Sequence, residues 1–257
     1  MDLGLKGETA LLTGSTLGLG YGCAQALIEA GCKVVINGRN VERGKAAAAT
    51  LGAHFIAADA AKDADRKRLF EEAKRHLGGH ISILVTNSDG PPTGPFTSKT
   101  VEDWRQAFEI AMLPPIDMAR RAAPEMAARG FGRIVNISSI SVKEPTAWAA
   151  MSCGVKLGVV GALATLAREV ADKGVTVNNL LPGPFDTPML RRVASAFAPQ
   201  APDAVAALKQ YGQKTPAKRV GSIEEFGAAC AFLASRHAGF ITGQGVVIDG
   251  GLIHLIY

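Results

Sequence analysis

Residues 9–20 read Thr9-Ala10-Leu11-Leu12-Thr13-Gly14-Ser15-Thr16-Leu17-Gly18-Leu19-Gly20, a short apolar run passing through a glycine-rich turn into an Ala/Leu-rich stretch. The order strand, turn, helix brings a helix amino terminus to the end of a buried strand. There the unpaired N–H groups and positive dipole end of the helix face a backbone whose glycines allow close approach to a pyrophosphate. The same alternation continues outward from this loop. Strand candidates are residues 9–14, 33–38, 54–59, 82–87, 132–139, 175–182 and 245–251, and helix candidates begin near Gly18, Val41, Asp63, Val101, Thr146 and Ser222. This pattern predicts an α/β fold of the doubly wound, Rossmann-like kind, a parallel sheet of about seven strands with helices on both faces. No linker or repeat divides residues 1–257, so a single domain is expected. Residues 184–219 break the alternation with Pro184, Pro188, Pro199, Pro202 and Pro216, and follow a strand. An insertion there is expected to act as a substrate lid.

Composition bounds the class. Of 257 residues 47% are hydrophobic and 20% charged, as expected for a soluble globular chain with strands buried on both faces. The start has no basic stretch leading into a long apolar run, and no eighteen uncharged apolar residues occur together, so a cytoplasmic protein without a membrane partner is expected. Cys23, Cys32, Cys153 and Cys230 are scattered, which suits reduced core thiols. The five histidines lack metal-ligand spacing, and no metal is expected. The net charge of +5 is dispersed among acids on helical stretches, which argues against a nucleic-acid partner and suits an anionic cofactor or substrate.

The second strand ends Val35-Ile36-Asn37-Gly38-Arg39-Asn40. An acid at this place would meet a free ribose 2′-hydroxyl, and none is present. Gly38 leaves room, and the Arg39 guanidinium, with Asn40 beside it, can fork two charge-assisted hydrogen bonds to a 2′-phosphate. NADP(H) is favoured over NAD(H).

Taken together, these motifs resemble the short-chain dehydrogenase/reductase family over essentially the whole chain. Thr13-Gly14 through Gly18-Leu19-Gly20 matches that family's TGxxxGxG, and Thr86-Asn87-Ser88-Asp89 falls on its NNAG segment. Residues 177–187 resemble its VNxxxPGxxxT, while Ile241-Thr242-Gly243-Gln244 and Asp249-Gly250-Gly251 resemble its closing motifs. The Gly90–Gly94 run and the turn after the second strand look most like bacterial 3-oxoacyl-carrier-protein reductase-like members. The resemblance implies that Gly14, Ser15, Thr16, Leu17, Gly18, Leu19 and Gly20 cradle the cofactor. It implies also that Asp59 with Ala60 meets adenine, that Asn87 and Ser88 lie along the dinucleotide, and that Pro182, Gly183 and Thr187 hold the nicotinamide end.

The same resemblance implies a catalytic serine at Ser139 and a lysine at Lys156, which also binds the nicotinamide ribose. The proton-exchanging tyrosine belongs four residues before that lysine, on the same helix face, and Ser152 stands there instead. A serine hydroxyl is nearer the backbone and far less acidic than a phenol of pKa about 10. The family's helix asparagine, which holds a relay water, falls on Ala111. The chain has only Tyr21, Tyr211 and Tyr257, on the first helix, in the lid segment and at the end of the chain. Alternative proton donors are Lys156 itself, a water between Ser139 and Ser152, or a group within Ser141-Val142-Lys143-Glu144. Trp148 and Met151 are expected to line an apolar pocket or a subunit contact, and Arg191 and Arg192 to meet an anion or form a solvated helix face.

The expected function is therefore an NADP(H)-dependent oxidoreductase interconverting a carbonyl and a secondary alcohol on a small apolar or aromatic substrate, with atypical proton transfer. A non-redox lyase, isomerase or dehydratase on the same scaffold, and a non-catalytic NADP-binding protein, are the alternatives. Relatives commonly form tetramers, and the apolar tail from Leu252 to Tyr257 adds to the expectation of a homo-oligomer.

Overall fold

The computed structural model describes residues 1–88 and 90–254. The expectations placed on Asp89, on Tyr257 and on the end of the apolar tail, residues 255–257, lie outside the described residues.

The strands are β1 (Thr9–Leu12), β2 (Lys33–Gly38), β3 (His54–Ala57), β4 (Ile83–Thr86), β5 (Gly132–Ile137), β6 (Val175–Pro182) and β7 (Gly245–Ile248). Together they form one parallel sheet in the order β3-β2-β1-β4-β5-β6-β7. Its helices are α1 (Gly18–Glu29), α2 (Val41–Leu51), α3 (Asp63–His76), α4 (Val101–Ala107), α5 (Leu113–Ala128), α6 (Ala150–Val170), α7 (Pro188–Phe197), α8 (Ala204–Gly212) and α9 (Ile223–Ala234).

Successive strand residues point to opposite faces, which sorts the core into two layers. Leu12, Ile36, Val85 and Leu180 pack under α1 and α9 with Cys23, Leu27, Phe226 and Cys230. Leu11, Val35, Leu84 and Val177 pack under α3, α5 and α6 with Leu69, Met118, Val159 and Leu163. The four cysteines are free thiols. Because β1 is flanked by β2 on one side and β4 on the other, the crossovers diverge at the carboxyl ends of β1 and β4, where doubly wound sheets form their ligand crevice.

The helix that begins at Val101 is not continuous. A π-helical turn, Phe108–Met112, separates α4 from α5, and Leu113 N–H donates to Phe108 O, five residues back. The cause is in the sequence: Pro114 and Pro115 lack the N–H groups that would close α-helical bonds to Ile110 and Ala111. The Ala111 carbonyl accepts instead from Ser88 Oγ at 3.4 Å.

Helix α6 starts at Ala150, four residues after the expected Thr146. Its buried stripe of Val155, Val159, Leu163 and Ala167 packs inward, while Leu157 is 54% exposed. Within residues 150–173 an 18-residue window reaches a mean hydropathy of 1.6, which by length and composition alone is enough to cross a bilayer.

Candidate active site

The glycine loop is a rigid cradle. Gly14 has φ of +55°, and a Cβ there would lie 2.8 Å from the Asn87 carbonyl oxygen, so only glycine fits both the turn and the approach of β4. Asn87 holds the loop: its Nδ2 donates to Gly14 O at 2.8 Å, and its backbone N–H and carbonyl both bond Thr13 Oγ1 at 2.9 Å. Ser15 is fully buried. Its amide donates to Asn37 O, its hydroxyl donates to Leu12 O, and the same Oγ accepts from Asn37 N–H, so it braces the loop against β2. Leu17 is partly exposed, and Leu19 packs onto the core beneath. The first turn of α1 has no side-chain cap and no acid, which leaves its amino-terminal N–H groups to a bound anion. A dinucleotide pyrophosphate matches that donor set.

At the far end of β2, Asn40 caps α2 by accepting from Arg43 N–H at 2.8 Å. Asp59 Oδ1 accepts from Ala61 N–H at 3.1 Å beside Ala60, at the carboxyl end of β3. At the other end, Pro182 and Gly183 close β6, and Gly183 N–H donates to Ile248 O of β7. Thr187 is buried and caps α7 by accepting from Leu190 N–H at 3.2 Å. Its methyl would lie 3.5 Å from a Cβ built on Gly18, so the start of α7 and the glycine loop meet across the crevice. The closing motif is bound structurally: Asn178 Nδ2 donates to Ile241 O, Asn178 Oδ1 accepts from Gln244 N–H, and Thr242 Oγ1 accepts from Val177 N–H.

Ser139 and Lys156 share the carboxyl end of β5. Ser139 Oγ accepts from Ser141 N–H at 3.1 Å, and Lys156 Nζ donates to the Ser138 carbonyl at 3.1 Å. Burial pulls the Lys156 ammonium from its usual 10.5 down to about 8. Ser152 lies one turn earlier on α6 and is half-buried. The buried hydroxyl oxygens of Ser138 and Ser141 find no partner among the described residues. Under the strand ends runs a polar row that the sequence reading missed. Thr86 Oγ1 donates to Asn136 Oδ1 at 2.9 Å and Asn136 Nδ2 donates to Asn179 Oδ1 at 2.8 Å, each pair directly opposite in register. Thr86, Asn136 and Asn179, three polar residues inside otherwise apolar strands, were the available signal.

Other expected residues are placed differently. Met151 is 3% exposed and packs with Ala107, Ala111 and Val155, so its side chain joins α6 to the π turn and lines no open pocket. Trp148 is 62% exposed, and its carbonyl accepts from Gly94 N–H, which ties the loops after β4 and β5 together. Arg191, 48% exposed on α7, is held by Asp186 through two bonds of 2.6 and 2.9 Å, in keeping with the solvated helix face rather than the anion contact of the two alternatives. Tyr21 packs on the first core layer, and Tyr211 of α8 packs edge-on against Phe197 of α7.

A glycine cradle at the switch point of a doubly wound sheet, with a serine and lysine at the neighbouring strand end, defines a dinucleotide-dependent oxidoreductase architecture. A family model described as Enoyl-(Acyl carrier protein) reductase matches residues 14–253. The chain belongs to the short-chain dehydrogenase/reductase family. It is 29% identical over 258 residues to 3-oxoacyl-(acyl-carrier-protein) reductase FabG of Aquifex aeolicus, covering 98% of this chain and 100% of the relative. It is 33% identical over 255 residues to 3beta-hydroxysteroid dehydrogenase 1 of Eggerthella lenta, covering 96% and 94%. Among solved structures, L-sorbose reductase from Gluconobacter frateurii, complexed with NADPH and L-sorbose, superposes with a TM-score of 0.91 at 27% identity, covering 99% and 100% of the two chains.

Proposed function

We propose that this chain is an NADP(H)-dependent oxidoreductase that interconverts a carbonyl and a secondary alcohol, with a proton transfer that uses no tyrosine. The observation that carries the reading is the pairing of the Gly14–Asn87–Thr187 seat with Ser139 and Lys156 at the adjacent strand end. The residues fit the cofactor: the glycine loop and the uncapped start of α1 would take the pyrophosphate, Arg39 the 2′-phosphate, and Pro182, Gly183 and Thr187 the nicotinamide end. NADPH, when bound, supplies the hydride.

The protein supplies the polar work. Ser141 N–H occupies one lone pair of Ser139 Oγ, which leaves the Ser139 O–H to donate to a substrate oxygen and stabilise the charge developing there. Lys156 is the proton source in place of a phenol. A pKa of about 8 keeps it mostly protonated at neutral pH and close to the working range of a general acid. Ser152 is far shorter than the tyrosine of the family's pattern, and substrate or a relay water takes up the difference. Trp148, exposed in the loop after β5, supports a small apolar or aromatic substrate, and α7 with α8, inside residues 184–219, serves as the lid. The protein is assigned to the cytoplasm as a homo-oligomer, most simply a tetramer.

The test is a panel of ketones and aldehydes followed at the nicotinamide absorbance, with product analysis wherever the absorbance is flat. Wild type reduces an apolar or aromatic member, and Ser139→Ala lowers turnover by ~10² or more. Ser152→Tyr fills substrate space and lowers native turnover. A product formed with no absorbance change would instead establish the lyase, isomerase or dehydratase reading. Cofactor binding with no turnover would favour the non-catalytic one, and turnover indifferent to Ser139→Ala would overturn the role given to Ser139.

A further inference from the structure

We propose that Arg43 is a second guanidinium for the 2′-phosphate, positioned by Thr16, and that with Arg39 it sets the preference for NADP(H) over NAD(H). The inference rests on the NADP(H) reading above and adds to it a residue of the α2 helix.

Three features carry it. First, the end of β2 is pressed against the glycine loop. A Cβ on Gly38 would lie 2.7 Å from Thr16 Cγ2 and 3.0 Å from Thr16 Oγ1, so no acid side chain fits between them, and Thr16 is held at the crevice mouth. Second, Arg43 crosses that mouth. Its Nε donates to Thr16 Oγ1 at 3.3 Å although the two residues are 27 apart in sequence, while Thr16 itself is 7% exposed. With Nε anchored, the orientation of the guanidinium fork is fixed, and its two terminal nitrogens have no partner among the described residues. A planar fork with its inner nitrogen held and its outer donors available is suited to bidentate capture of a phosphate. Third, Arg43 occupies the first turn of α2, where its backbone N–H is taken by the Asn40 cap. A cation at a helix amino terminus opposes the helix dipole, and a bound dianion would reverse that cost.

The experiment is calorimetric titration of the full chain with NADPH, NADH, adenosine 2′,5′-bisphosphate and adenosine 5′-monophosphate. Variants are Arg43→Ala, Arg43→Lys, Thr16→Val and Arg39→Ala with Arg43→Ala, each checked for an unchanged melting temperature. Arg43→Ala is expected to weaken NADPH and the bisphosphate about tenfold, the lower range for a charge-assisted pair, and to leave NADH and the monophosphate within about twofold. Arg43→Lys keeps the charge without the anchored fork and recovers only part of the loss. Thr16→Val, which removes the acceptor and keeps the shape, weakens NADPH about threefold. The double variant loses the NADPH preference. Equal weakening of both cofactors by Arg43→Ala, or none in either, overturns the assignment of Arg43 while leaving the cofactor reading intact. A wild type without preference for NADPH overturns the NADP(H) reading itself.

Discussion

At the scale of single residues, the site turns on how a proton reaches the substrate without a phenol. Lys156 is the group whose ionisation the fold has moved furthest into the working range, from 10.5 to about 8 by burial, beside the Ser138 carbonyl. A general acid must be protonated, so carbonyl reduction is expected to fall as pH rises through about 8, with the reverse reaction rising over the same interval. The kcat/KM profile from pH 6 to 10 checks this, and a flat profile removes Lys156 as the proton source. The family resemblance points to Ser139, Ser152 and Lys156, and the structure has Ser139 at the end of β5 and the other two one turn apart on α6. Arg43 could not be found this way, because its meaning comes from Thr16, 27 residues away, and nothing local distinguishes it from a solvated helix arginine. The same blindness to long-range partners hid the buried packing of Met151 against Ala107 and Ala111.

At the scale of elements, the alternating apolar pattern located all seven strands, and the helix starts expected near Val41 and Ser222 fall where Asn40 and Ser222 cap α2 and α9. The π turn was readable only through Pro114-Pro115, whose missing N–H groups break the helix at Ala111 and leave its carbonyl to Ser88. The joint between α3 and α5 was not readable, since it depends on Asp117, which accepts from Arg66 and Arg121 at 2.9 Å and from Arg120 at 2.7 Å. Burial alone would raise the Asp117 carboxyl, but these three guanidinium donors hold it at about 2, below its ordinary 3.8. A folded pKa below the unfolded one contributes stability that is complete above about pH 4 and lost as pH falls toward 2, amounting to about 2 kcal/mol. Asp117→Asn leaves Arg66, 6% exposed, with only the longer 3.4 Å contact to the exposed Asp63 as counter-charge, and is expected to cost about 2–4 kcal/mol at pH 7. Urea unfolding at pH 7 and pH 3 should show that cost shrinking in acid. A variant as stable as wild type at pH 7 would mean that the network contributes nothing.

At the scale of the whole molecule, the doubly wound order follows from uninterrupted strand–helix alternation, and the position of the crevice follows from that order. Assembly is the part that one chain does not contain. Helix α6 packs one stripe inward and keeps Leu157 more than half exposed within a strongly apolar stretch, so a partner copy is expected to cover it. Light scattering should give a multiple of the 26.8 kDa chain mass, four for a tetramer, and a monomer mass at micromolar concentration would reject that assembly. The central claim, that this site carries out NADP(H)-dependent redox chemistry without a tyrosine, is tested most directly by label transfer. With NADPH deuterated at nicotinamide C4 on the transferred face, mass spectrometry of the alcohol formed from the best substrate of the ketone panel should find deuterium on the carbinol carbon. Ser139→Ala should form that product far more slowly. Bound NADPH that transfers no label to any member of the panel would contradict the account.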